Sequence, residues 1–225
     1  MRTPARRRAL RVLLGCLAVL GLAGAVVGIV YNLVGMPRLD RAFGEYYRID
    51  LDVYRLGGTA FAHGAQIYGV LPPTQIGSPL PFTYPPIAAI AFAPMSWMSL
   101  VNAGLVMTVL SIVALFASIA LTLRSMGIGT TQTLLWGGGA LLALSFTLEP
   151  VYSTLDYGQV NLVLMVLVLA DCLPRRTPWP RGLLIGFVAA FKLTPAVFVL
   201  YFLLRRDVRA TVVTGISFVA FTALG

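Results

Sequence analysis

Apolar residues come in long runs along this chain, separated by short polar or basic stretches. The runs cover positions 10–34, 87–98, 101–123, 134–148, 162–172, 182–204 and 211–225. Runs of about 20 apolar residues predict membrane helices rather than the alternating strands of a barrel. The first, 10–34, is longer than the apolar part of a signal peptide and ends in no small-x-small cleavage pattern. It is expected to stay as a first transmembrane helix. Gly24 and Gly28 fit the GxxxG spacing, which ordinary helix packing explains as well as dimerisation does. The run 101–123 is long enough to cross, and 134–148 is expected to cross again. The run 87–98 is short and contains Pro94, so it reads as a half-helix or the tilted start of the next span.

Composition sharpens this into a class. Apolar residues make up 58% of the 225 positions and charged residues only 11%, with a mean hydropathy of +0.86. Soluble domains carry about a quarter charged residues. The net charge is +9, but the arginines cluster at the ends of apolar runs, as topology signals do, and no nucleic-acid-binding face is expected. Arg2, Arg6, Arg7, Arg8 and Arg11 lie before or at the start of the first run and predict a cytoplasmic N-terminus, with Arg38 following it. Segment 36–85 is then a long extracytoplasmic loop. Cys16 and Cys172 lie within or at the end of apolar runs and read as small buried hydrophobes. With one histidine, no soft-metal site is expected.

The chain has eight acidic residues, and Asp40, Glu45, Asp50 and Asp52 fall together in that loop. Next, Val53, Leu56, Ala60 and Phe61 recur at helical spacing, with Tyr54, Arg55, Thr59 and His63 opposite. This predicts a short amphipathic helix on the membrane surface, with Asp52 as its N-cap and Gly64 as its stop. The proline-rich stretch up to Pro85 predicts irregular chain that returns to the bilayer there. In 182–204, basic residues flank both ends (Arg175, Arg176 and Arg181 before; Arg205, Arg206 and Arg209 after), while Lys192 and Pro195 interrupt the middle. Proline breaks a helix, and a lysine at the membrane centre costs at least about 2.5 kcal/mol. Two half-helices meeting at Lys192–Pro195 would keep both clusters cytoplasmic and turn the lysine into an outward-facing cavity. A kinked single span is the rival.

Four stretches, IDLDVYRLGGTAFAHGAQIYG, FTYPPIAAIAFAP, DYGQVNLVLMVLVLAD and GLLIGFVAAFKLTPAVFVLYFLLRR, occur in this order over residues 49–206. Together they resemble glycosyltransferase family 87, polyprenyl-phosphate-mannose-dependent α-mannosyltransferases of the GT-C fold. The resemblance implies an all-α, polytopic helical bundle whose long first extracytoplasmic loop carries the short helix. It also implies a multi-pass enzyme of the cell membrane with its site on the outer face. Family members run to about twice this length, and the run 211–225 is still apolar where the sequence stops. One transmembrane domain is expected over 1–225, truncated, with further spans and half-helices over 86–225.

The implied function is transfer of mannose from a polyprenyl-phosphate donor to a lipid-linked or cell-envelope glycan, with inversion. GT-C enzymes take an aspartate of the first outer loop as base. The family pattern D-L-x-V-Y places it at Asp50, with Asp52 at the variable position and the second candidate. A carboxylate suits the task because a sugar hydroxyl must lose its proton as it attacks. The leaving phosphate needs cations or donors, for which Arg55, Lys192, Tyr84, Gln159 and Asn161 are the candidates. Arg55 reads equally well as an arginine on lipid headgroups. His63 reads as a polar helix end, and Glu149 and Asp156 as acceptor-side or solvated acids. No cofactor is expected, with a divalent ion at Asp50 and Asp52 as the alternative. The competing functions are an arabinofuranosyltransferase with a polyprenyl-phosphate pentose, and a transporter or flippase for a lipid-linked glycan.

Overall fold

The computed structural model describes Gly15 and residues 47–128, 130–174 and 176–225. The expected first membrane helix, 10–34, lies outside the described residues apart from Gly15, as do Asp40 and Glu45. The described residues are helical, with elements α1 (Ile49–Ala62), α2 (Pro86–Phe92), α3 (Leu100–Ser125), α4 (Thr131–Ser145) and α5 (Glu149–Tyr157), followed by α6 (Asn161–Cys172), α7 (Leu183–Phe191), α8 (Val199–Leu204) and α9 (Val208–Leu224). Short 3-10 segments, Ala93–Trp97 and Thr194–Phe198, extend α2 and precede α8.

Helix α3 has 26 residues, about 39 Å of helix, and among the described residues it is the one helix long and apolar enough to cross a membrane. Helices α4 and α5 pass the same test only as a pair, bent by 76°. Pro150 sits at the start of α5, where a missing N–H costs nothing.

Helix α1 differs from its sequence reading in two respects. It begins at Ile49, with Arg48 rather than Asp52 at the N-cap, so Asp52 lies inside the first turn. Both acids still oppose the positive end of the helix dipole. Nor does α1 present a free apolar face to a membrane surface. Leu51 and Tyr54 are buried to 0% and 1% exposure, whereas Phe61, assigned to the apolar face, is 40% exposed. The cause is the glycine pair Gly57–Gly58. A Cβ on Gly57 would stand 2.2 Å from the Phe82 ring, and one on Gly58 2.5 Å from the Phe92 backbone. The missing side chains let the loop and α2 close directly onto the helix, so the buried face keeps the expected Val53 and Ala60 and widens to Leu51 and Tyr54. The expected stop holds: Gly64 has φ +65°, and Ala65 N–H donates to Ala60 O at 2.8 Å.

The expected break at Lys192 is present. Helix α7 ends there in extended backbone, φ −148° and ψ 125°. The chain then reverses, because Tyr201 Oη donates to the Cys172 carbonyl at 3.0 Å, and Cys172 closes α6 at the end where α7 begins. Helix α9 then runs beside α7 in the same direction: Ser217 Oγ donates to Leu183 O at 2.7 Å, and Phe187 meets Phe221 edge-on at 4.9 Å. Arg181 and Arg209 consequently line one cavity. The basic clusters on both sides of the hairpin share one end of the molecule. Asn161 opens α6 at the other end, about 18 Å away along its 12 residues.

That basic end is fastened by an acid which sequence reading passed over. Asp171 is 0% exposed. Its carboxylate accepts from Gly182 N–H at 3.0 Å, Ile185 N–H at 3.0 Å and Trp179 Nε1 at 3.3 Å. It caps α7 from a neighbouring helix, since Gly182 offers no side chain for the purpose. Asp171→Ala strands these buried donors and is expected to destabilise the protein by about 3 kcal/mol, read as a lower thermal unfolding midpoint in detergent.

Candidate functional site

The first turn of α1, the start of α6 and the end of α7 converge on a continuous chain of polar side chains. Asp50 lies in the first turn of α1, half-buried. Gln159 Nε2 donates to Asp50 Oδ2 at 2.5 Å. Asn161 Nδ2 donates to Gln159 Oε1 at 2.6 Å, and Lys192 Nζ donates to Asn161 Oδ1 at 2.9 Å. The ammonium also lies 5.3 Å from the centroid of the Tyr84 ring. Tyr84 and Tyr54 share a hydrogen bond between hydroxyls at 2.8 Å. Five of the seven sequence-predicted site residues (Asp50, Tyr84, Gln159, Asn161 and Lys192) therefore meet in one place.

Local backbone chemistry explains why the amides reach the acid. Helix α5 ends on Gly158, in the left-handed region at φ +69°, and Gln159 N–H closes the turn onto Thr154 O at 2.8 Å. This glycine also lies against α1: a Cβ there would be 2.8 Å from Leu51 Cβ and 3.1 Å from Arg48 Cβ. Arg48, 7% exposed, reaches across to donate from Nε to Leu155 O at 3.2 Å. The first turn of α1 and the last turn of α5 are thus locked together, with Gln159 emerging beside Asp50. Arg48 and Gly158 were not singled out from sequence. Gly158 carried a local signal, glycine after a helical stretch, whereas Arg48 acts on a residue 107 positions away and carried none.

The chain of bonds has a direction. Each amide gives its N–H toward Asp50 and its oxygen toward Lys192, which sets the orientation of both. Among the described residues, Asp50 Oδ1 takes no hydrogen bond. Lys192 has three N–H groups and commits one to Asn161. Burial pushes the Tyr54 hydroxyl far above its ordinary pKa, with the adjacent Tyr84 and the charge of Asp50 adding to the effect. Tyr54 is neutral throughout the physiological range and serves as a hydrogen-bonding floor to the site.

Two predicted residues are placed elsewhere. Asp52, 3% exposed, accepts from Tyr47 Oη at 3.0 Å and from Gln75 N–H at 2.8 Å. It anchors the proline-rich loop instead of capping α1 or facing Asp50's partners. Arg55 Nε donates to the Met98 carbonyl at 3.0 Å, away from the polar chain. His63 bonds the Thr59 carbonyl at the exposed end of α1, as a polar helix end does. Glu149 is exposed and Asp156 half-buried. Among the described residues, no group of three or more His, Cys, Asp or Glu is placed to hold a metal ion. A cavity of about 420 Å³ opens at the far end of α1, bounded by Thr59, His63, Gln66 and Leu71. It has no convergent acid and base, so the polar chain is the better candidate for chemistry.

Residues 82–225 match the profile of Glycosyltransferase family 87. The chain belongs to glycosyltransferase family 87. Of the polar chain, Tyr84, Gln159, Asn161 and Lys192 lie within the matched segment, and Asp50 precedes it. Relatives point the same way as the family profile. The family 87 chain is 48% identical, over 82% of its length and 46% of the relative's, to a polyprenol-phosphate-mannose-dependent alpha-(1-2)-phosphatidylinositol mannoside mannosyltransferase of Mycobacterium tuberculosis. It is 47% identical to the protein of the same description from Mycolicibacterium smegmatis, over 80% of its length and 43% of the relative's. It is 36% identical to a polyprenol-phosphate-mannose-dependent alpha-(1-2)-phosphatidylinositol pentamannoside mannosyltransferase of Mycobacterium tuberculosis, over 76% of its length and 40% of the relative's. The chain spans about half the length of the curated relatives it matches. No solved structure matches it.

Proposed function

We propose that this family 87 chain transfers mannose from a polyprenyl-phosphate donor to a glycolipid or cell-envelope glycan, with inversion, and that Asp50 is the general base. The observation that carries this reading is the hydrogen-bonded chain from Asp50 through Gln159 and Asn161 to Lys192. It supplies an acid and a cation at one site, at separate ends of a rigid link. In the proposed step, Asp50 Oδ1 takes the proton of the acceptor hydroxyl as its oxygen attacks the anomeric carbon. The bond to the lipid phosphate breaks on the opposite face, so a β-linked mannosyl phosphate becomes an α-mannoside. The departing phosphate takes the charge, which the two uncommitted N–H groups of Lys192 and the hydroxyl of Tyr84 stabilise. Gln159 and Asn161 position the base rather than bind phosphate, because their amide groups are engaged with Asp50, Lys192 and each other. The step uses these side chains alone, without a cofactor, and leaves Arg55 and Asp52 out.

The proposed setting is a multi-pass GT-C bundle. Arg176, Arg181, Arg205 and Arg209 would face the cytoplasm, as the bias of basic residues requires, and the polar chain the outer side. Helix α3 and the half-helices around Lys192 suit a membrane-embedded site fed by a lipid donor. Mannose is favoured over a pentose because the relatives' descriptions name mannose as the donor sugar.

The test is transfer by the full-length protein in membranes, given polyprenyl-phosphate mannose or polyprenyl-phosphate arabinose with a phosphatidylinositol mannoside acceptor. Turnover with mannose and an α-linked product by NMR are expected. Transfer only from the arabinose donor, or a β-linked product, would contradict the proposal. Lys192→Met is expected to cut kcat/KM for the donor by about 100-fold, the effect of losing one strong stabiliser of the leaving charge.

A further inference from the structure

The end of the molecule opposite Asp50 holds a second polar cavity, of about 300 Å³, bounded by Thr177, Trp179, Arg181, Asp207 and Arg209. Such a volume lies at the small end of ligand sites and suits a compact headgroup. Cations dominate its surroundings. Arg176, Arg181, Arg205, Arg206 and Arg209 all belong to the two segments that meet here, and a guanidinium cannot shed its charge near neutral pH. Two acids lie near, and of these Asp207 lines the cavity beside Arg181 and Arg209, which leaves a positive excess there. Asp207 Oδ1 accepts from Ala210 N–H at 3.0 Å to cap α9, and Asp171 is sealed under the loop by its own donors. Arg181 touches the Pro174 carbonyl, and Arg205 reaches Tyr201 Oη at 2.5 Å. Arg209 is exposed.

Arg206 has φ +56°, the only positive φ at a non-glycine position among the described residues. It is the left-handed close of α8, where Asp207 N–H donates to Phe202 O at 2.9 Å, and glycine would adopt that conformation without the penalty a side chain carries. Arg206 adjoins Asp207 at the cavity's edge, exposed to solvent.

We propose that this cavity binds a phosphate group, carried by an anionic glycerophospholipid of the adjoining leaflet. Planar guanidinium groups match phosphate oxygens in pairs. Trp179 supplies the amphipathic ring that favours the boundary between headgroups and acyl chains. The cavity lies where α6, α7, α8 and α9 begin or end, at the leaflet boundary if the chain is membrane-embedded. On that topology, and only on it, the lipid source rests. The phosphate chemistry rests on the arginines alone. The site is distinct from the proposed donor site, being at the far end of α6.

The test uses delipidated full-length protein in detergent, offered equal amounts of phosphatidylglycerol and phosphatidylcholine, with retained lipid counted by native mass spectrometry. Phosphatidylglycerol is expected to be retained preferentially. Arg181→Gln combined with Arg209→Gln should weaken that retention roughly 25-fold, at about fivefold per arginine, with mannosyl transfer unchanged. Arg206→Gly should raise the thermal unfolding midpoint while weakening retention of phosphatidylglycerol, an opposition that a purely structural arginine would not show. Arg209→Gln alone, at an exposed position, serves if the double variant does not fold. Equal retention of the two lipids, or variants that retain phosphatidylglycerol like the parent, would overturn a lipid site. Inorganic phosphate that displaces the lipid at equal concentration would keep the anion site and overturn its lipid source. Membrane fractionation run alongside separates the two readings: a chain found outside the membrane fraction contradicts the topology, while inorganic phosphate binding still reads the cavity.

Discussion

Asp50→Asn is expected to lower mannosyl transfer by about 10³-fold, within the range that a positioned general base contributes. The amide keeps the size of the side chain, and its oxygen still accepts from Gln159 Nε2, so the fold and the polar chain survive. What is lost is the group that takes a proton. The loss should therefore fall on kcat, with the KM for the lipid donor little changed. Asp52 provides the internal control. Its carboxylate holds Tyr47 and the Gln75 amide, so Asp52→Asn should loosen the loop and lower thermal stability more than it lowers turnover. If the two variants were reversed, with Asp52→Asn inactive and Asp50→Asn near the parent rate, the base would be misassigned.

Gly158→Ala is expected to lower both stability and activity, because the added methyl falls between the site's two supporting helices. Position 158 lies at φ +69°, where a side chain costs about 1–2 kcal/mol. The new methyl would also press on Leu51 and Arg48, and overpacking adds about 1–3 kcal/mol. A destabilisation of about 3 kcal/mol follows, read by thermal unfolding of the full-length protein. Relief of the clash pushes α5 off the first turn of α1, which separates Gln159 from Asp50. A displacement of about 1 Å costs on the order of 100-fold in rate, so turnover should fall even in the fraction that remains folded. Gly158→Asn tests the two causes separately. Asparagine tolerates the left-handed region but carries the same Cβ, so it should recover part of the stability and little of the rate.

Much of the architecture was legible because it is written in local pattern. The 26 residues of α3 announce themselves by apolar length, Gly64 by its place after a helical stretch, and the break at Lys192 by the proline three residues on. The arginines on both sides of 182–204 forced the reversal, and the Tyr201–Cys172 bond shows it. The candidate site was legible through motif order rather than through physics. Nothing local in DYGQVN says that Gln159 meets an acid 109 positions earlier.

What failed to show in the sequence depended on distant partners. The buried face of α1 was drawn too narrowly: Val53 and Ala60 are buried as expected, but Gly57 and Gly58 count as blanks in a hydrophobic pattern, although their emptiness is what Phe82 and Phe92 fill. Asp52 looked like a cap because it precedes an apolar stretch. Its partner Gln75 lies 23 positions away and gives no local sign. Asp171 was hidden by its position at the end of an apolar run, where a lone acid reads as solvated. Only the return of the chain through Gly182 shows that it is enclosed.

The most direct measurement is a structure of the full-length protein with a non-transferable polyprenyl-phosphate mannose analogue and its glycolipid acceptor both bound. An Asp50 carboxylate oxygen should stand about 2.6–3.2 Å from the acceptor hydroxyl, in line with the anomeric carbon and the lipid phosphate, with Lys192 Nζ on a phosphate oxygen. An acceptor hydroxyl facing another side chain, with Asp50 turned away from both substrates, would contradict the account.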